Sequence, residues 1–282
     1  MLLKGENMGI IVGLDVGGST TKIVGMKDKE IIYKSISKAG DPLTSAYGAL
    51  GKLINDLNLK VSDIVRINIT GVGSGFPVPH MLGIETCVIE EFPSTGLGGL
   101  YVAGLERAVV VSMGTGTAYL KATYPDVEHI IGSGVGGGTL VGICNSMIGI
   151  ADPSKLSELA TDGDVNSVDL TIGDISKSSI PGLDMDVTAS NFGKAPDGLS
   201  NEDKVAGVFN LIYQSIGTMS VLSSRCVGIN DVVFTGQLTS FKECKKYFEL
   251  FPRLYGVNFI IPDDAEFATA IGACIAGEKR IG

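Results

Sequence analysis

The chain has 282 residues, 44% hydrophobic and 19% charged, a balance that excludes a disordered chain and leaves room for one or two cored domains. Its 22 Lys and Arg against 31 Asp and Glu give a formal charge of −9, which argues against non-specific nucleic-acid binding and against an anionic membrane surface. No apolar run reaches the roughly 18 residues of a membrane helix, the five scattered cysteines form no CxxC pair and read as reduced cytoplasmic thiols, and two histidines are too few for a His-rich zinc site.

The start lacks the pattern of a signal peptide, because its apolar stretch runs straight into Asp15, and Met8 is a candidate first residue. Residues 9–15, 20–26 and 31–37 read as three strands separated by a glycine turn and a charged turn. A helix follows over 42–58, with Ala46, Leu50, Leu53, Ile54 and Leu57 on one face. Strands are expected at 65–70 and 86–90, and a small-residue helix at 93–105. The pattern then recurs: a strand at 107–113, a GTGT turn, strands at 117–122 and 128–132, and a glycine-rich loop opening a helix near 139. A polar stretch over 151–201 has few long apolar runs, and short helices are expected in it. Beyond it come a long helix at 203–226, a strand at 231–235, a helix at 240–250, a strand at 257–261 and a last helix at 266–277. Strand, glycine turn, strand, strand, helix thus occurs twice, which predicts a duplicated α/β unit with a ligand cleft between the halves.

Three glycine-rich turns carry the candidate chemistry. In the first, Asp15-Val16-Gly17-Gly18-Ser19-Thr20-Thr21-Lys22, bare backbone N–H groups at Gly17 and Gly18 can wrap a phosphate. Ser19 and Thr20 add hydroxyls, Lys22 adds a point charge, and Asp15 at a strand end suits Mg²⁺, directly or through water. The plain alternative is a glycine hairpin. The second turn, Gly114-Thr115-Gly116-Thr117 after Ser112-Met113, gains weight from its equivalent place in the second half. The third runs from Gly132 through Ser133, Gly134, Gly136, Gly137 and Gly138 to Thr139. It contains a formal G-x-G-x-x-G, but a strand meander precedes it instead of the βαβ unit of a dinucleotide fold. No Walker sequence occurs. A kinase acting on a hydroxyl also wants a carboxylate base, and Glu90 and Glu91 stand between a strand and a helix start.

The motifs GLDVGGSTTK, TGVGS, VIEEF, SMGTGT, GSGVGGGT, SNFG and VVFTGQ, in this order from about residue 8 to the C-terminus, resemble the type II pantothenate kinases. The resemblance implies a duplicated ribonuclease-H-like (actin-like ATPase) fold, with lobes at 8–105 and 106–282 and a helical insertion near 140–226. It implies a cytoplasmic homodimer that uses ATP and Mg²⁺ to phosphorylate the primary hydroxyl of pantothenate, the first step of coenzyme A biosynthesis. It maps the catalytic acid to Glu91, with Glu90 the alternative, and the phosphate loops to Asp15 through Lys22 and Gly114 through Thr117. The nucleotide-side loop falls at Gly136 through Thr139, and the adenosine side at Gly236-Gln237, with Ala270 through Ala273 a further match. Ser133, Gly134 and His129 fall on the substrate side. His129 stands where the family carries an Arg; the plain alternative is a strand residue pointing elsewhere. Ser112-Met113 replaces an Asn and an apolar residue.

The first motif also resembles the ATP-hydrolysing activators of hydroxyacyl-CoA dehydratases. Those carry a cluster-ligating cysteine where Ser112-Met113 stands here. A related small-molecule kinase with a different acceptor, and a nucleotide-binding regulator without catalysis, are the other readings.

Overall fold

The computed structural model describes residues 9–38, 40–71, 75, 79–178, 182 and 184–277. Met8, and the Val72–Ser74 part of the TGVGS motif, lie outside the described residues.

In chain order, β1 (Ile10–Val16), β2 (Thr20–Lys27) and β3 (Glu30–Lys38) form a meander, followed by α1 (Pro42–Asp56) and then β4 (Ile64–Thr70). The short β5 (His80–Met81), absent from the sequence expectations, precedes β6 (Ile84–Val88) and α2 (Glu91–Ala103). The second series is β7 (Arg107–Met113), β8 (Thr117–Thr123), β9 (Asp126–Ser133) and α3 (Gly137–Ile148). The polar stretch holds α4 (Pro153–Asp162), β10 (Leu170–Thr171), α5 (Ile172–Ile175) and β11 (Thr188–Ser190). After it come α6 (Asn201–Val227), β12 (Asp231–Thr235), α7 (Glu243–Phe248), α8 (Leu250–Tyr255), β13 (Asn258–Ile260) and α9 (Ala268–Gly277). The helix expected over 240–250 is therefore two short ones.

The first sheet has the order β3-β2-β1-β4-β6-β5 and the second β9-β8-β7-β12-β13. Aligning β1 with β7 makes the first five positions correspond, so the duplication read from the sequence is real at the level of topology. In the first sheet β1 pairs antiparallel with β2 and parallel with β4, so the Asp15 end of β1 and the Thr70 end of β4 lie side by side.

The chain divides into two compact units. The first takes residues up to 110, 120–129 and those from 262; the second takes 111–119 and 130–261. The expected boundary at 105/106 therefore moves, and α9 joins the first unit. The reason is packing. Gly272 of α9 lies so close to α2 that an added Cβ would overlap the Ser94 carbonyl oxygen, and Gly98 of α2 abuts Ala268 in the same way. Only glycines let two helix backbones approach this far. On the other face of the sheet, Val12, Leu14 and Val16 pack with Ala46, Leu50 and Leu53 of α1. That helix starts cleanly: Asp41 caps it by accepting from Thr44 N at 2.8 Å, and Pro42 opens it.

The second unit is organised by α6. This 27-residue helix is long and apolar enough to cross a membrane, but 67% of its most apolar window is buried within the fold, as in a core helix. Ser200 caps it, Glu202 and Asp203 sit in its first turn, and Gly228 ends it in the left-handed conformation at φ 65°. The SNFG motif finds its role here. Asp169, 1% exposed, accepts from Asn191 Nδ2 at 3.0 Å, Phe192 N at 2.8 Å and Asn210 Nδ2 at 2.7 Å. This buried carboxylate ties the β11 end to α6.

Candidate active site

The first unit gathers Asp15, Lys22 and Glu91. Asp15 and Lys22 are cross-strand partners, so their side chains share one face. Lys22 Nζ lies 3.8 Å from Asp15 Oδ2, with side-chain exposures of 8% and 14%. Burial pushes the Asp15 carboxyl above the usual carboxylate range, and Lys22 opposes that rise. On the other side of Asp15 stands the end of β4. Gly71 has φ +94°, and a Cβ there would lie 2.6 Å from Val16 O and 2.7 Å from Asp15 Oδ1. A side chain at 71 would thus displace the carboxylate. Thr70, fully buried and registered opposite Asp15, has a hydroxyl without a hydrogen-bond partner.

The turn between β1 and β2 is closed by Gly17 N donating to Thr20 O at 3.0 Å. Gly18 and Ser19 are exposed, and a Cβ on Gly18 would meet nothing within 4 Å. Neither the backbone conformation nor any neighbour among the described residues requires glycine there. Thr21 is different. It pairs with Val16, on the face that packs against α1, and its buried hydroxyl points away from Asp15.

Glu91 is the first residue of α2 and Glu90 its cap. Crowding by protein atoms and the charge of Asp15 together raise the Glu91 carboxyl above its ordinary value. Glu90 instead supplies its carbonyl, which accepts from Ser94 Oγ at 2.8 Å. Phe92 stacks on His129, with ring centroids 4.6 Å apart and planes within 2°. His129 thus sits against the residue next to Glu91, on the exposed side of the stack.

In the second unit the other two glycine loops are packed on each other. Gly137 N donates to Gly114 O and Gly138 N to Thr115 O, both at 2.9 Å. A Cβ on Gly136 would come within 2.7 Å of Thr115 O and Gly116 Cα, and one on Gly116 within 2.7 Å of Ser133 O. Thr117 Oγ1 donates to Val135 O at 2.8 Å, and Thr139 Oγ1 to Gly134 O at 2.6 Å. Ser133 Oγ accepts from Val135 N at 3.1 Å. The sequence suggested that Gly136–Gly138 make room for a nucleotide; the space they make is first of all for Gly114–Gly116. Gly134 is the open member, with nothing within 4 Å of an added Cβ. Gly236 has φ +91° and abuts Met113 O at 2.7 Å, and the next residue, Gln237, has a buried Oε1 without a partner. Of the further match, Ala270, Ile271 and Ala273 are fully buried in α9 of the first unit, where they serve packing.

Two residues of consequence escaped the sequence reading. Asp169 sits in an unpatterned polar stretch. Thr70 ends a strand and opens the TGVGS motif, but the sequence reading gave it no role.

The chain spans nearly the full length of its relatives. It is 26% identical over 272 residues to a type II pantothenate kinase of Staphylococcus epidermidis, covering 93% of this chain and 98% of that one. A type II pantothenate kinase of Staphylococcus aureus is 27% identical over 279 residues, covering 95% and 99%. The family model described as Fumble matches residues 107–246. Among solved structures, the activator of the 2-hydroxyisocaproyl-CoA dehydratase from Clostridium difficile with bound ADPNP superimposes with a TM-score of 0.66 at 18% identity, over 97% of this chain and 98% of that one. A ROK family protein from Streptococcus pneumoniae in complex with sucrose gives 0.57 at 14% identity, over 96% and 99%. The fold, with its duplicated sheet order and a glycine turn after the leading strand of each half, is that of the actin-like ATPases. Within that class the chain is similar along nearly its whole length to type II pantothenate kinases.

Proposed function

We propose that the protein transfers the γ-phosphoryl group of ATP to the primary hydroxyl of pantothenate. The observation that carries this reading is the joint placement of Asp15, Lys22 and Glu91 in one unit of a chain that matches type II pantothenate kinases end to end. The bare turn receives phosphate oxygens at Gly18, beyond the Gly17 N–H that closes the turn on Thr20 O, and Lys22 balances charge beside Asp15. Gly114–Thr117, Gly136–Thr139 and Gly236-Gln237 form the second unit's contribution to nucleotide binding. Glu91 takes the hydroxyl proton or orients the hydroxyl. Its raised carboxyl makes it a better proton acceptor near neutral pH than an ordinary glutamate. His129, on its Phe92 platform, is the first unit's residue for the acceptor, and Ser133 and Gly134 are the second unit's candidates for it.

Magnesium fits the residues present. It keeps most of its waters and takes one or two carboxylates plus substrate phosphates, and Asp15, pressed between Lys22 and Gly71, offers one such carboxylate. The ion supplies charge neutralisation between phosphates. Phosphoryl transfer needs little covalent help from protein, so positioning and charge do most of the work. The enzyme acts as a homodimer in the cytoplasm, a setting that the free cysteines suit.

An ADP-release assay with pantothenate, pantetheine and a few sugars tests the assignment. Release dependent on pantothenate supports it; transfer to another acceptor with pantothenate untouched refutes it. Met113, fully buried where an iron–sulfur activator needs a ligating cysteine, speaks against the activator activity, and a colourless purified protein is expected.

A further inference from the structure

Buried hydroxyls in folded proteins almost always have a partner, and one without calls for an explanation. Thr70 is such a group: it has no exposed surface, and its Oγ1 meets no donor or acceptor among the described residues. Its register decides where it looks. Asp15 is its partner across β1 and β4, and Gly13 pairs with Asn68 two residues earlier. That face is covered by α9: a Cβ on Gly13 would overlap Ala270 O, and Asn68 Nδ2 donates to Ala273 O at 2.8 Å. Thr70 therefore stands on the Asp15 side of the sheet, not the α1 side. The backbone just after it presses on the carboxylate, since a Cβ on Gly71 would lie 2.7 Å from Asp15 Oδ1. Asp15 is thus bounded by Lys22 on β2, by Thr70-Gly71 on β4, and by the charge of Glu91 at the start of α2.

If Thr70 were only a packing residue, valine would fill the same volume without a stranded hydroxyl, and the position would be better served by it. We propose that Thr70 is a further binding residue of this site, its hydroxyl reserved for the water shell of the divalent ion that Asp15 takes with the nucleotide phosphates. The inference rests on the nucleotide-binding part of the function proposed above and not on the identity of the acceptor.

The test compares Thr70→Val and Thr70→Ser by calorimetric titration of ATP with and without Mg²⁺, alongside thermal unfolding of the ligand-free proteins. Thr70→Val is expected to unfold at or above the wild-type temperature. It should nevertheless bind ATP about tenfold more weakly in Mg²⁺, the scale of one hydrogen bond in a charged setting. Its Mg²⁺-free binding should be unchanged, and Thr70→Ser should bind as wild type does. Equal affinity of Thr70→Val and wild type in Mg²⁺ overturns the inference. So does a loss that serine shares, or one that is the same without the ion. Wild-type protein that binds Mg·ATP but leaves pantothenate untouched sinks the acceptor assignment while these binding differences still support Thr70. Wild-type protein that binds no ATP overturns both.

Discussion

Replacing Gly272 by alanine adds one methyl group at the tightest point of the first unit. That Cβ would overlap the Ser94 carbonyl oxygen and lie 2.6 Å from its carbon and 2.7 Å from Gly98 N. These are backbone atoms of α2 and cannot rotate away, so the helices must part. Overpacking that side chains can absorb costs roughly 1–3 kcal/mol; with backbone on both sides the cost belongs at or above the upper end, about 3 kcal/mol. At roughly 2–4 °C per kcal/mol for a chain of this size class, the melting temperature falls by about 6–12 °C. Gly48→Ala is the matched control. Gly48 lies in α1, and its added Cβ meets nothing within 4 Å, so the helix gains up to about 1 kcal/mol from the better helix former. Calorimetric melting of the ligand-free proteins should therefore move in opposite directions for one and the same substitution. Because α2 begins at Glu91, Gly272→Ala should also slow turnover in the folded fraction. A Gly272→Ala protein as stable as wild type would show that the helices do not touch as described.

Glu91→Gln should cut turnover by roughly 10²–10⁴ while ATP binding survives, and Glu90→Gln should do far less; steady-state rates paired with nucleotide titrations decide, and a larger loss at Glu90 reverses the assignment. The raised Glu91 carboxyl also has a sign in pH. The base works ionised, so kcat/KM should rise with pH through a value above that of an ordinary glutamate, and an acid limb at or below the ordinary value contradicts the proposed role. Gly18→Val should melt as wild type does, since a Cβ there meets nothing in the protein, yet lose ATP affinity; normal affinity in calorimetry removes the turn from the site. His129→Arg should keep the stack on Phe92 and lower the KM for pantothenate at pH 8, whereas His129→Ala should raise it. A KM indifferent to both changes leaves His129 without a part in binding.

The order of the longer strands and helices, the duplicated unit, the three glycine loops and the two candidate carboxylates are legible in the chain, whereas the short β5, β10 and β11 and the split of α7 from α8 are not. Each is a local matter of hydrophobic period, turn chemistry and strand ends, and these depend on residues a few positions apart. What those residues do was decided at a distance. Gly18 and Gly272 both fall in segments that the resemblance maps to the nucleotide, the first in a turn and the second in a helix, but one faces open space and the other faces the Ser94 carbonyl. Gly136–Gly138 resemble a nucleotide loop, and the structure spends two of their N–H groups on Gly114 and Thr115. The Glu91 carboxyl is raised by burial and by the charge of Asp15, 76 positions earlier in the chain. Thr70 opened the TGVGS motif without an assigned role until the β1–β4 register set it beside Asp15. Local pattern reports how the backbone runs and which face is apolar. Whether a missing side chain or a stranded hydroxyl makes room for the protein itself or for a ligand depends on atoms that only tertiary packing brings near.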